Sequence, residues 1–171
     1  MRKEQQKIIW LYGLSGSGKS TLAQAYLKEN KDQPYVWLDG DDVRSGISKD
    51  LGFDLQDRSE NIRRIAEIAK LLYQQKFSVV VSAITPLSMH RNIVLEVLKD
   101  TNLKLIFCKS SLETCQQRDV KGLYKKAKSL EILSFTGISS AFEDPDLNSA
   151  WIDTEDEIAL SCHELTEMVN T

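Results

Sequence analysis

Ile8-Ile9-Trp10-Leu11-Tyr12-Gly13-Leu14-Ser15-Gly16-Ser17-Gly18-Lys19-Ser20-Thr21 is the stretch that decides how this chain is read. A short apolar run that ends at a glycine reads as a strand buried on both faces of a parallel sheet. From Gly13 to Ser20 every fixed position of the phosphate-loop pattern G-x-x-x-x-G-K-[ST] is filled. The pattern lies after a strand and before a helix running to about Lys28, which is the context it needs. Glycines let the backbone curl until its N–H groups point at phosphate oxygens. The helix that begins near Lys19 aims its positive end at the same place. Lys19 neutralises charge on the β- and γ-phosphates, and the Ser20 hydroxyl is a magnesium ligand. Gly13, Leu14, Ser15, Gly16, Ser17, Gly18, Lys19, Ser20 and Thr21 are thus the candidate ATP-binding set, with Mg2+ as the implied cofactor.

Outward from the loop, apolar strand patterns recur at Tyr35–Leu38, Ser78–Ala83, Leu103–Cys108 and Ala150–Ile152. Helical patterns lie between them. The longest runs from about Arg58 to Gln74, with Asp57 as its expected cap and Glu60 completing a capping box. The last is expected from about Glu155, with acids in its first turn. Strands alternating with helices imply an α/β fold: a five-stranded parallel sheet covered on both faces. Residues 119–149 lose this periodicity and carry Lys121, Lys125, Lys126 and Lys128. A stretch of that length without regular structure reads as a lid. All 171 residues read as one domain.

Composition narrows the class further. The net charge of −3 shows no basic excess, so a nucleic-acid partner is not expected. No apolar stretch is long enough to span a bilayer, and the polar start at Met1–Lys7 does not read as a signal peptide. Cys108, Cys115 and Cys162 are odd in number and widely spaced. They read as core thiols in a reducing cytoplasm. His90 and His163 read as ordinary surface or helix residues.

A phosphate loop alone does not separate a kinase from a GTPase, a motor or a passive binder. Asp39-Gly40-Asp41 ends the second strand, at the sheet edge where ligands bind. A carboxylate there can orient an acceptor hydroxyl and take its proton, or hold magnesium through water. A turn with solvated acids fits those residues equally well. The third strand ends in Ser82-Ala83-Ile84-Thr85-Pro86 without a carboxylate, which favours a small-molecule kinase over a motor.

Several motifs together resemble the adenylyl-sulfate kinase family. They are Leu38-Asp39-Gly40-Asp41-Asp42-Val43-Arg44, Leu51-Gly52-Phe53, Asp57-Arg58-Ser59-Glu60-Asn61-Ile62-Arg63-Arg64, Gln117-Arg118-Asp119-Val120-Lys121-Gly122-Leu123-Tyr124-Lys125-Lys126-Ala127 and Phe135-Thr136-Gly137-Ile138. The resemblance runs in order from about Ile8 to Asp153. It implies transfer of the ATP γ-phosphoryl group to the 3′-hydroxyl of adenylyl sulfate, giving 3′-phosphoadenylyl sulfate. It implies Lys19 and Asp41 as catalytic residues, with Asp41 as base or as magnesium organiser through water. Arg44, Arg58 and Asn61 would hold the acceptor's anionic groups, and Phe53 and Phe135 would sandwich its base. Ile84, Thr85, Lys121 and Leu123 would line the acceptor side, and Arg118 would lie near the ATP adenine. The residue types agree: arginine's fork suits sulfate and phosphate, and Arg58 and Asn61 share a helix face.

The chain departs from the family pattern at Asp42, Leu87, Leu130 and Ser139-Ser140-Ala141-Phe142, around the lid and acceptor side. Two alternatives to adenylyl sulfate kinase activity therefore stay open at this point. One is a kinase for another nucleotide adduct such as cytidine diphosphoramidate, and the other is a nucleotide-binding module without turnover. A homodimer is likewise left open.

Overall fold

The central strand, β1 (Ile8–Tyr12), is apolar throughout because both of its faces are covered. In the computed structural model, which describes residues 6–146 and 148–170, all five of its residues are buried. Side chains alternate across a strand. Ile8, Trp10 and Tyr12 enter one core layer with α3 (Leu55–Gln74) and α4 (Ser88–Val97). Ile9 and Leu11 enter the other with α1 (Lys19–Glu29) and α7 (Ile158–Asn170). β3 (Ser78–Ser82) divides in the same way: Val79 and Val81 face the first layer and Val80 the second. Burying each large side chain of this kind contributes roughly 1.5–3 kcal/mol.

With β2 (Tyr35–Asp39), β4 (Leu103–Lys109) and β5 (Ala150–Asp153), the sheet has five parallel strands in the order β2-β3-β1-β4-β5. The α/β architecture is as the sequence predicts. β1 and its neighbour β3 are followed by α1 and α4, which pack on opposite faces. A crevice therefore opens at the carboxyl ends of these strands, where such folds bind ligands.

Several local expectations are corrected. α3 begins at Leu55, capped by Asp54, whose carboxylate accepts the Asp57 N–H at 2.8 Å. Asp57 instead accepts the Gly52 N–H at 2.6 Å, and Glu60 pairs with Arg63 and Arg64 rather than closing a capping box. Asn61 consequently lies in the second helical turn. The acidic cluster after β2 is helical: Asp39 caps the six-residue α2 (Gly40–Ser45). α7 starts at Ile158, and Glu155 turns back to accept the Ser111 N–H at 2.6 Å. His90 is not a surface residue. It is wholly buried, facing Arg58, Glu143 and Arg91, and burial lowers its pKa. The cysteines are core thiols as expected, and burial pushes Cys108 and Cys162 up to about 12.

The corrected cap can be tested. Asp54→Ala is expected to destabilise the protein by about 1 kcal/mol, the usual cost of losing a cap. Urea midpoints at constant m-value check this, and an unchanged midpoint places the helix start elsewhere.

Residues 119–146 contain one further short helix, α6 (Leu123–Lys128), after α5 (Leu112–Arg118). Tyr124, Ala127 and Phe135 form a small satellite core with Cys115, joined by Leu14 from the phosphate loop. The Tyr124 hydroxyl donates to the Ser15 carbonyl at 2.8 Å. This segment is thereby seated over the crevice, with Lys125, Lys126 and Lys128 left exposed.

Candidate active site

Gly16 and Gly18 have φ of 76° and 84°, in the left-handed region that favours glycine. A Cβ on Gly16 would also lie 2.9 Å from the Cys115 carbonyl oxygen. This curl carries the chain into α1 and buries Lys19. The Lys19 ammonium donates to the Leu14 carbonyl at 2.5 Å and the Gly13 carbonyl at 3.1 Å, and burial lowers its pKa. A cleft of about 820 Å³ opens beside it. Arg118, Thr154, Asp156, Ile158, the phosphate loop, Phe53 and Phe135 all line it. That is a volume typical of small-molecule sites.

Most of the expected residues meet in this cleft. Ser15, Gly16, Gly18, Lys19, Ser20, Thr21 and Arg118 line it, together with Asp41, Arg44, Phe53, Arg58, Asn61, Ile84, Thr85, Lys121, Leu123 and Phe135. Gly13, Leu14 and Ser17 do not line it. The Gly13 N–H donates to the Ile84 carbonyl at 3.2 Å, Ser17 is wholly buried, and Leu14 belongs to the satellite core. Arg118 donates to the Thr154 carbonyl at 2.8 Å, which ties α5 to the turn after β5.

Asp39 is not among the expected site residues, although it shares the strand-end acidic cluster with Asp41, but the fold makes it the hub. Parallel pairing sets Asp39 opposite Ser82 at the ends of β2 and β3. Its Oδ2 accepts from the Ser20 hydroxyl at 2.7 Å and the Ser82 hydroxyl at 2.8 Å, and its Oδ1 accepts the Asp41 N–H at 2.9 Å. The Trp37 indole N–H donates to Ser82 Oγ at 3.0 Å, which leaves that hydroxyl's proton for Asp39. Burial alone would raise the Asp39 pKa, but the bonds from Ser20, Asp41 and Ser82 and the Lys121 charge outweigh it and lower it. The signal was available as a second carboxylate two residues before Asp41, at a strand end.

Asp41 is exposed in the first turn of α2 and forms an ion pair with Lys121, which raises the Lys121 pKa. Thr85 holds a left-handed φ of 46° and is wholly buried, its hydroxyl accepting the Trp10 indole N–H at 2.9 Å. Such a conformation costs on the order of 1–3 kcal/mol. Arg44 donates to the Gly52 carbonyl at 2.7 Å and stacks 4.6 Å from the centre of the Phe53 ring. Asn61 is buried and its side-chain oxygen has no hydrogen-bond partner among the described residues. Ser20, Asp39 and Asp41 form an oxygen-only donor set, the kind that suits magnesium.

The family model described as Adenylylsulphate kinase matches residues 5–153. This chain belongs to the adenylylsulphate kinase family. Among its curated relatives, the adenylyl-sulfate kinase of Bacillus licheniformis is 48% identical over 89% of this chain and 79% of its own length. The probable adenylyl-sulfate kinase of Bacillus subtilis is 44% identical over 98% of this chain and 86% of its own. Among solved structures of the family, that of the Mycobacterium tuberculosis APS kinase CysC in complex with AMPPNP and APS superposes with a TM-score of 0.92. It is 37% identical and covers 98% of this chain and 99% of that one. No helix among the described residues is long and apolar enough to cross a membrane.

Proposed function

We propose that this chain transfers the γ-phosphoryl group of ATP to the 3′-hydroxyl of adenylyl sulfate, giving 3′-phosphoadenylyl sulfate for sulfate assimilation. The observation that carries the reading is the cleft itself, which the phosphate loop, Asp41 and the two rings Phe53 and Phe135 line together. Family membership supplies the acceptor's chemistry.

In this reading the loop N–H groups and Lys19 hold the β- and γ-phosphates, and Arg118 flanks the adenine. Ser20, Asp39 and Asp41 are the residues that would hold magnesium, which would supply charge neutralisation at those phosphates when bound. The acceptor lies between Phe53 and Phe135, with Arg44, Arg58 and Asn61 toward its phosphosulfate. Asp41 orients the 3′-hydroxyl and receives its proton as the new O–P bond forms and the bond to ADP breaks. Ile84, Thr85 and Leu123 shape the acceptor side. Residues 119–149 act as a lid that carries Lys121 onto the reacting groups and excludes water, where charges interact more strongly.

Stacking on an aromatic ring contributes roughly 1–3 kcal/mol per base and tolerates any base. Phe53→Ala and Phe135→Ala are therefore each expected to raise the acceptor KM about tenfold or more and to leave the ATP KM nearly unchanged. The identity of the acceptor is tested separately, by kcat/KM for adenylyl sulfate against cytidine diphosphoramidate. Preference for the cytidine compound would overturn the named substrate while leaving the kinase chemistry and the clamp in place. Unchanged acceptor KM in both variants would return the two rings to a packing role.

A further inference from the structure

Arg58 sits in the first turn of α3, and its guanidinium is directed at protein oxygens. Nε donates to the Phe53 carbonyl at 2.7 Å, Nη1 to Thr136 Oγ1 at 2.8 Å, and Nη2 to the Ser134 carbonyl at 2.7 Å. The first acceptor is the backbone of one clamp ring's own residue. The other two flank Phe135, the opposite ring, across 78 and 76 residues of sequence.

Geometry makes this more than local tidying. A guanidinium offers five N–H donors in one rigid plane, so three acceptors bound to it are held at set distances from one another. The fork is mounted on a helix whose Ile62, Ile65 and Ala66 are locked in the core. The Phe53 ring is 60% exposed, so burial does not fix its position. Its loop is held instead from two arginines, by Arg44 on the Gly52 carbonyl and Arg58 on the Phe53 carbonyl. Phe135, by contrast, is buried against Tyr124, with ring centres 4.9 Å apart. The two Arg58 N–H groups not engaged in these bonds sit one on each terminal nitrogen, and both can still meet an acceptor anion.

We propose that Arg58 is a positioning residue that clasps the Phe53 loop to residues 134–136 and sets the gap between Phe53 and Phe135 before the acceptor arrives. The proposal rests on the reading of those rings as the base clamp. It adds a role to Arg58 that charge alone cannot fill. Lysine would keep the positive charge near the acceptor but has no planar fork to hold three oxygens at once.

The test uses the full chain with Arg58→Lys and Thr136→Val, the second removing one clasp bond without changing charge. Backbone hydrogen–deuterium exchange across residues 133–140 is measured in the free enzyme, and KM for adenylyl sulfate and for ATP is measured separately. Arg58→Lys is expected to speed exchange in that segment and to raise the acceptor KM, each by about tenfold, with the ATP KM unchanged. Thr136→Val is expected to move both readouts the same way by less, and it alone carries the test if Arg58→Lys does not fold. Exchange equal to the parent's overturns the proposal whatever the kinetics. Faster exchange with an unchanged acceptor KM overturns it when Phe53→Ala does raise that KM. When Phe53→Ala does not, the same result overturns the clamp reading beneath it.

Discussion

Lys19→Ala is expected to lower kcat by on the order of 10²–10³ while the fold persists. The ammonium is buried at the floor of the cleft and held by the carbonyls of Gly13 and Leu14. Burial disfavours the charged form and so lowers the Lys19 pKa. The protein therefore keeps a charge there at a cost to stability, which has a physical rationale only if negative charge is to be met at that point. A preorganised positive group in a water-poor cleft acts most strongly where charge accumulates in the transition state, and alanine leaves nothing in its place. Because removing a desolvated charge does not unfold the loop, the thermal midpoint is expected to stay near the parent's or rise. Turnover at saturating ATP and magnesium, with a melting curve on the same sample, decides the matter. Turnover close to the parent's would remove Lys19 from the chemistry.

Asp41→Asn is expected to lower kcat by on the order of 10²–10⁴, the range for loss of a positioned acid–base group, with little change in ATP affinity. Asparagine keeps the size of the side chain, and the backbone N–H that Asp39 accepts is untouched. What is lost is the negative charge that Lys121 pairs with and the capacity to take a proton. If Asp41 were only a residue of the turn into α2, asparagine would serve equally well, since both types suit such positions. Single-turnover rates alongside calorimetric ATP binding separate these cases. An unchanged rate eliminates the catalytic role; a lost ATP affinity would instead move Asp41 to the nucleotide side.

The parts of this site legible in the sequence are those encoded by adjacent residues. The run Ile8–Tyr12 followed by Gly13–Ser20 carries strand, turn and helix in one stretch, because glycine conformations and side-chain alternation depend on near neighbours. The same holds for the four other strands, whereas Asp41, Phe53, Arg58, Lys121 and Phe135 stand out only through the resemblance of the motifs around them to the family. Residue types with fixed chemistry, such as lysine beside a phosphate loop, need no tertiary information to be singled out.

Partner choice was not legible, because several groups of one type compete and only packing decides among them. Asp54 and Asp57 both suit a helix cap; the Gly52 turn takes Asp57 and leaves the cap to Asp54. Asp39 becomes a hub because β2 pairs with β3 in a register that brings Ser82 beside it, while α1 supplies Ser20. His90 is in the core because α4 packs that face of its helix inward. Arg58 reads from sequence as an anion ligand and turns, in the fold, to oxygens nearly eighty residues away. The sequence alone determined which chemistry this protein carries. The tertiary structure decided which side chains hold one another in place to perform it, since hydrogen-bond geometry between distant segments exists only once the sheet and helices have packed.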